Sequence, residues 1–240
     1  MKRATITIII PVYNVENFVN ETLLSVKNQI SQPDEVIIIN DGSTDGSSNI
    51  INNYKDLKGW KIINRSNHGL GLTRNFGKSI AISEYIYFLD SDDTIKKDLI
   101  FQMRLVIEKN AKPDMILFSG ETFANNESTN KRINLKLTLS GKYNSGSVVI
   151  RELLNRKEAL PQASRYITKV ELWSKNKLNY PNCIYEDEAV FFPLLALSKN
   201  IILINEVYFK YRIDRPDSVT NRKPDTKHAL GYLHIINFII

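Results

Sequence analysis

Glu35-Val-Ile-Ile-Ile-Asn-Asp-Gly-Ser-Thr-Asp-Gly46 joins a short apolar, β-branched run to a cluster of glycines and small polar residues. Such a run, apolar throughout, suits a strand buried on both faces of a parallel sheet, because a strand with one wet face would alternate. Upstream, Thr5-Ile-Thr-Ile-Ile-Ile10 reads the same way and is ended by Pro11. Between the two runs Phe18, Leu23, Leu24 and Val26 recur at roughly helical spacing, and Ser48 to Leu57 reads as a helix after the second strand. Downstream, Trp60 to Ile63 predicts a third strand, Leu72 to Ile82 a helix, and Tyr85 to Leu89 a fourth strand ending at Asp90. This alternation predicts an α/β fold with a doubly wound, mostly parallel sheet flanked by helices. Ligands of such sheets lie beyond the carboxyl ends of the strands. The polar clusters after Ile10, Ile39 and Leu89 all fall there.

Further along, Ile95 to Asn110 predicts a helix and Met115 to Phe118 a strand, after which the pattern loosens. Asn125 to Lys142, rich in Asn, Ser, Thr and Lys with a weak alternation at Ile133, Leu135, Leu137 and Leu139, reads as a surface hairpin or a mobile insertion. Helices are expected over Ser147 to Arg156, Thr168 to Lys175 and Glu188 to Leu197, and separate strands over Ile201 to Ile204 and Val207 to Tyr211.

With 240 residues, 42% hydrophobic and 24% charged, and with 10 Gly and 8 Pro, the chain has the composition of an ordinary soluble globular protein. That excludes disordered, collagen-like and coiled-coil classes. Cys183 is the single cysteine, which excludes an intrachain disulfide and a cysteine-based zinc site and is compatible with a reducing compartment. The net charge of +6 suits anionic partners such as phosphates, nucleic acid or an acidic membrane face without choosing among them. Met1-Lys-Arg3 followed by apolar residues has the look of a signal peptide, but the run stops at Pro11 with no small-residue cleavage site. No segment approaches the ~18 consecutive apolar residues that span a bilayer. The expectation is a cytoplasmic protein, with peripheral contact at the inner face of the cell membrane left open. His234-Ile-Ile-Asn-Phe-Ile-Ile240 carries no polar cap, so either the chain is cut short there or this apolar end packs on a partner, a homo-oligomer among the options.

Several segments carry candidate chemistry. Asp41-Gly-Ser-Thr-Asp-Gly46 opens a helix after a buried strand, where backbone N–H groups can meet a nucleotide; taken alone it is equally a tight turn with a Ser or Thr cap. Asp90-Ser-Asp-Asp93 sets three carboxylates within four residues, which repel one another unless a cation neutralises them. Oxygen-only ligands favour Mg²⁺ or Mn²⁺; the alternative is an Asp cap on the helix from Ile95 with the other acids solvated. Tyr185-Glu-Asp-Glu188 begins an apolar helix at its positive end and could supply a general base, or be a solvated first turn. Asn67 to Asn75 joins a glycine-bearing loop to a helix, and Arg74 could fork onto a phosphate or a carboxylate. His68, His228 and His234 lack metal-ligand spacing and read as structural or exposed. Tyr208-Phe-Lys-Tyr-Arg-Ile-Asp-Arg215 interleaves aromatic and basic residues, which permits base stacking and equally describes an edge strand beside a phosphate site.

Order and spacing together say more. Ile8-Ile-Ile-Pro-Val-Tyr-Asn14, Asn40-Asp-Gly-Ser-Thr-Asp-Gly46, Gly69 to Asn75, Phe88-Leu-Asp-Ser-Asp-Asp93 and Glu186-Asp187 resemble the family 2 glycosyltransferases of GT-A fold. The resemblance is strong over Thr5 to Arg104. Tyr211-Arg212 and Ser218-Val-Thr220 resemble the later part of bacterial capsule and exopolysaccharide enzymes. It implies that Pro11, Val12, Tyr13 and Asp41, with Glu16 nearby, cradle the base of a nucleotide, usually uracil. It implies further that Asp90-Ser91-Asp92 is the DXD motif, Asp90 toward the ribose and Asp92 on a Mn²⁺ or Mg²⁺ that bridges the diphosphate. Arg74 then lies near the diphosphate or donor sugar, Asp187 is the catalytic base, and Arg212 and Ser218 belong to a late loop that closes over the donor. Some relatives carry a His in that loop; here none lies between Tyr208 and Lys227. On this reading residues 1–118 form the nucleotide-sugar-binding half, and residues 119–240 the acceptor-side half with a C-terminal helical extension, continuous with the same domain.

The implied reaction moves a sugar from a nucleotide-diphosphate sugar, a UDP-sugar by resemblance, to a hydroxyl of a glycan or lipid-linked acceptor in surface polysaccharide synthesis. It inverts the anomeric carbon, since no motif supplies the nucleophile of a double displacement. A nucleotidyltransferase would be expected to carry a glycine-rich, Lys/Arg-bearing phosphate signature after the first strand, which Pro11-Val-Tyr-Asn14 lacks. The rival from another class is a non-catalytic nucleotide- or polyanion-binding module; nucleic acid is not expected as a partner. Acceptor choice is assigned to Ser119 to Leu178.

Overall fold

The computed structural model describes residues 3–124, 133–213 and 226. In chain order the strands are β1 (Ile6–Val12), β2 (Glu35–Asp41), β3 (Trp60–Arg65), β4 (Tyr85–Phe88), β5 (Thr94–Ile95), β6 (Met115–Phe123), β7 (Gly141–Tyr143), β8 (Tyr166–Lys169) and β9 (Ile201–Arg212). The helices are α1 (Val19–Lys27), α2 (Ser47–Asn52), α3 (Leu70–Ile80), α4 (Leu99–Lys109), α5 (Gly146–Asn155), α6 (Val170–Lys175) and α7 (Glu186–Leu197).

All nine strands belong to one sheet in the order β3-β2-β1-β4-β8-β6-β9-β5, with β7 paired to β9. The β3-β2-β1-β4 half is wholly parallel, as the unbroken apolar runs require. Every residue of β1 and β2 is buried. Alternate side chains go to opposite faces: Ile8, Ile10 and Ile38 pack with α1, α2 and α4, while Ile9, Ile37 and Ile39 pack with α3 and α5 to α7. Each such isoleucine contributes about 1.5–3 kcal/mol through burial. The fold is mixed α/β, a helix-flanked sheet with its parallel half at the N-terminal side.

Several boundaries differ from expectation. β1 continues through Pro11 to Val12, pairing Pro11 with Ile39, because the β4 ladder has already ended at Ile9 and a missing N–H there withholds nothing from β4. α2 stops at Asn52, short of Leu57. The helix expected from Ile95 begins at Leu99, since Thr94 and Ile95 pair with Lys210 and Phe209 of β9. Thr168 and Lys169, expected as the start of a helix, instead end β8 (Tyr166–Lys169), which inserts antiparallel between β4 and β6. The two strands expected after Ile201 are one, β9, carrying register shifts opposite Ser119.

Residues 133–139 are not a surface hairpin: Leu135 and Leu137 are buried in the two cores, and β7 pairs antiparallel with β9. Arg165 holds this stretch, donating to the carbonyls of Leu135 and Leu160. Residues 208–212 are neither an edge strand nor a stacking platform, because β9 has β6 on one side and β5 on the other and Phe209 is fully buried. The remainder of the polar 125–142 stretch (residues 125–132), Ser218 to Thr220, His228, and the apolar end from His234 lie outside the described residues.

Candidate active site

The carboxyl ends of β1, β2 and β4 open on the same side of the sheet because the three strands are parallel. From β1, Pro11 and Val12 are buried and Tyr13 emerges at 46% exposure. Asn14 adopts a left-handed conformation (φ 50°), and its side-chain oxygen accepts from the Thr44 amide at 2.8 Å, stitching the loop after β1 to the loop after β2. Glu16 accepts from the Gly46 N–H at 2.5 Å and Asp45 accepts from the Glu16 N–H at 3.0 Å, so Glu16 is engaged with the entry to α2.

Asp41 ends β2 at 3% exposure. Its carboxylate accepts from the His68 amide at 3.1 Å and the Gly69 amide at 2.9 Å, and Arg65 Nε lies 3.4 Å away. Gly42 follows with φ 77°, and a Cβ there would stand 2.8 Å from the Asn67 nitrogen. The close approach of 42 to 67 is what lets Asp41 bind the loop that opens α3.

After β4 the chain makes a tight turn, the Asp93 amide donating to the Asp90 carbonyl at 3.1 Å. The Asp90 N–H is held by Ser164 Oγ at 3.2 Å. The Asp90 carboxylate remains 31% exposed, Asp92 is half-buried, and Ser91 is buried. Asp93 is neither a helix cap nor solvated: it is 1% exposed and accepts the Arg212 amide at 2.9 Å. Burial, reinforced by Asp92 and Asp90, pushes its carboxyl well above the usual range.

Arg74 connects this turn to α7. It is 1% exposed; Nη2 donates to Asp90 Oδ1 at 2.6 Å, Nη1 donates to Glu186, and the guanidinium lies 5.2 Å from the Tyr180 ring centroid. Tyr185, in left-handed conformation (φ 66°), turns the chain into α7, which places Glu186 and Asp187 at the helix N-terminus. Burial, and then the charge of Glu186, push Asp187 well above the ordinary carboxylate range, with Arg74 opposing. The first-turn helix dipole acts against that shift and is outweighed.

The candidates thus converge: Asp41, Asp90, Ser91, Asp92, Arg74 and Asp187 gather around the strand ends. Arg212 stands behind the Asp90–Asp93 turn, its side chain fully buried, and Ser218 lies outside the described residues. Sequence reasoning missed Glu186 as the Arg74 partner, although Glu186 is half of the Glu186-Asp187 motif, and missed Ser164 and Tyr180, for which no local pattern exists.

Two accessible carboxylates on one turn offer hard oxygen donors suited to a divalent cation that also takes ligands from a substrate diphosphate. Among the described residues no group of three or more His, Cys, Asp or Glu side chains could hold a metal ion by itself.

Residues 7–164 match the model of glycosyl transferase family 2. The chain belongs to that family. It is 33% identical over 214 residues to an uncharacterized glycosyltransferase of Haemophilus influenzae, a match covering 85% of this chain and 76% of that one. It is 39% identical over 104 residues to the putative glycosyltransferase EpsH of Bacillus subtilis, covering 43% of this chain and 30% of EpsH. The S. aureus TarS fragment 1–349, solved in complex with UDP-GlcNAc, superposes with a TM-score of 0.79 at 21% identity, covering 98% of this chain and 66% of that one. This likeness shows a shared GT-A fold. The family 2 chain spans less than a third of the length of EpsH. Among its described residues no helix is long and apolar enough to cross a membrane.

Proposed function

We propose that this chain transfers a sugar from a UDP-sugar to a hydroxyl of a glycan or lipid-linked acceptor with inversion, in surface polysaccharide synthesis at the cytoplasmic face of the membrane. The observation that carries the reading is the ion-pair bridge through Arg74, which ties Asp90 of the turn after β4 to Glu186, the neighbour of Asp187 at the start of α7. TarS, which shares the fold, binds UDP-GlcNAc and UDP.

In this mechanism Tyr13, Pro11, Val12 and the loop braced by Glu16 and Asp41 hold the nucleotide base, and Asp90 with Ser91 orients the ribose. Asp92 would hold Mn²⁺ or Mg²⁺, whose charge, aided by Arg74, would stabilise the departing diphosphate. Arg74 adds positive potential beside Asp90, to which it is hydrogen-bonded. Asp187 takes the proton of the acceptor hydroxyl as its oxygen attacks the anomeric carbon opposite the leaving group. Burial raises its proton affinity above that of an ordinary carboxylate, the direction a general base needs.

The test is a thermal-shift and hydrolysis panel of nucleotides and sugar nucleotides, each with Mn²⁺, Mg²⁺ or chelator. Metal-dependent stabilisation by UDP or one UDP-sugar is the expected result. Indifference to every nucleotide, with steeply salt-dependent binding of polyanions, would overturn it in favour of a non-catalytic binding module.

A further inference from the structure

Arg212 ends β9 with its side chain wholly buried. Its backbone N–H donates to Asp93 Oδ1 at 2.9 Å, and its Nε donates to the Asp92 carbonyl at 2.9 Å. Nη2 donates to Glu21 of α1. The guanidinium is stacked between two rings, 4.3 Å from the Phe123 centroid and 4.9 Å from that of Phe18. One step beyond the turn, Thr94 pairs with Lys210, and the Lys96 amide donates to the Tyr208 carbonyl at 2.9 Å. The Asp90–Asp93 turn is therefore held by β4 on its entering side, by the β5–β9 ladder on its leaving side, and by Arg212 in between.

We propose that Arg212 and Asp93 are positioning residues: together they clamp the turn from behind and set where the Asp92 carboxylate stands, and Arg212 does this without touching the donor. The proposal rests on the reading of Asp92 as the cation-binding acid of glycosyl transfer. Three features support it. The guanidinium has no exposed surface from which to reach a ligand in the cleft. Its main chain and side chain grip adjacent residues of one turn, which fixes orientation as well as position. Its planar fork spans the Asp92 carbonyl and Glu21 while lying between two rings, a combination that a lysine ammonium cannot reproduce. Asp93, buried and unavailable to the cleft, serves as acceptor for the backbone of β9. Groups that hold a metal ligand in place typically change metal affinity by about 10–100-fold when altered.

The experiment uses the full chain as wild type, Arg212→Lys and Glu21→Gln, with circular dichroism to confirm folding. Mn²⁺ is titrated at saturating UDP by thermal shift, UDP is titrated in chelator by calorimetry, and amide exchange is followed over residues 90–93. Expected for Arg212→Lys is a half-saturating Mn²⁺ concentration raised about tenfold, unchanged UDP affinity in chelator, and faster exchange at 90–93. Glu21→Gln, which keeps Arg212, should shift Mn²⁺ half-saturation and exchange in the same sense by a smaller factor, with UDP affinity in chelator again unchanged, and it carries the test if the lysine variant does not fold. Weakened UDP binding in chelator with Mn²⁺ half-saturation and exchange unchanged would make Arg212 a donor contact and overturn the proposal. If the wild type binds neither UDP nor Mn²⁺, the glycosyl-transfer reading fails, and exchange alone decides the clamp: acceleration in Arg212→Lys upholds it and no change rejects it.

Discussion

Arg74 and Glu186, separated by 112 positions in the chain, form an ion pair in which both side chains are almost completely buried. The other fork of Arg74 reaches Asp90 at 2.6 Å, so one guanidinium joins α3, the turn after β4 and the start of α7. Charges so deep persist only when paired and hydrogen-bonded. The turn after β4 and the start of α7, where Asp187 follows Glu186, are thus tied directly to each other through this guanidinium.

Arg74→Met should therefore leave Glu186 buried with an uncompensated charge and destabilise the chain by about 3–5 kcal/mol, read from the urea midpoint. Arg74→Lys, which keeps the charge and loses the fork, should recover part of the stability and little of the activity. A methionine variant within about 1 kcal/mol of wild type, no more than an ordinary point substitution costs, would contradict the bridge.

For Asp187, whose carboxyl is pushed well above its ordinary range by burial and Glu186, the sign follows from linkage. The folded state holds this proton more tightly than the unfolded chain. Stability should fall as pH rises from the usual carboxylate range through the raised value, and sugar transfer should rise over the same window as the base ionises. Asp187→Asn should remove that part of the stability slope, and it should lower kcat by about 10²–10⁴-fold with UDP affinity kept. Melting curves and rate profiles from pH 4 to pH 9 test both limbs; a variant with full transfer and unchanged donor binding would remove Asp187 from the chemistry.

Asp92→Ala should abolish the metal-dependent part of nucleotide stabilisation while the fold survives. At UDP about 100-fold above its dissociation constant the wild type should gain about 2.7 kcal/mol, seen as a rise in Tm with Mn²⁺ that chelator reverses. In the alanine variant, curves with Mn²⁺ and with chelator should coincide.

Gly71 lies where α3 crosses the chain leading to α7. A Cβ there would stand 2.4 Å from the Pro181 carbonyl oxygen and 3.3 Å from Glu186 Cγ. Gly71→Ala should displace this segment at a cost of about 1–3 kcal/mol and lower kcat more than nucleotide affinity, since Asp187 moves and the strand ends do not. Equal loss in both quantities would show that the disturbance spreads to the donor side.

The parallel half and its cleft were legible because short-range rules govern them. Unbroken apolar runs at Thr5 to Ile10 and Glu35 to Ile39 can only be strands covered on both faces, and parallel strands put their polar followers, Tyr13, Asp41 and Asp90, on one side. The C-terminal half was read less well. β8 carries too short a run to distinguish from the helix that follows it, and it exists because the edges of β4 and β6 stand ready to pair with it. The weak alternation over Ile133 to Leu139 belongs to coil packed on the core, where Arg165 satisfies carbonyls that no ladder takes.

Local composition thus determined the α/β class and the polar, acid-rich segments that follow the parallel strands. Tertiary structure decided how deeply neighbouring acids are buried: Asp92 is half-buried at the turn, while Asp93 is buried against β9. It also decided that Arg74 is a bridge and that Arg212 stands behind the turn. These outcomes depend on partners more than a hundred positions away, Glu186 for Arg74 and Arg212 for Asp93. Burying a charge is favourable only once the folded chain delivers its counter-charge, and no local pattern records that meeting.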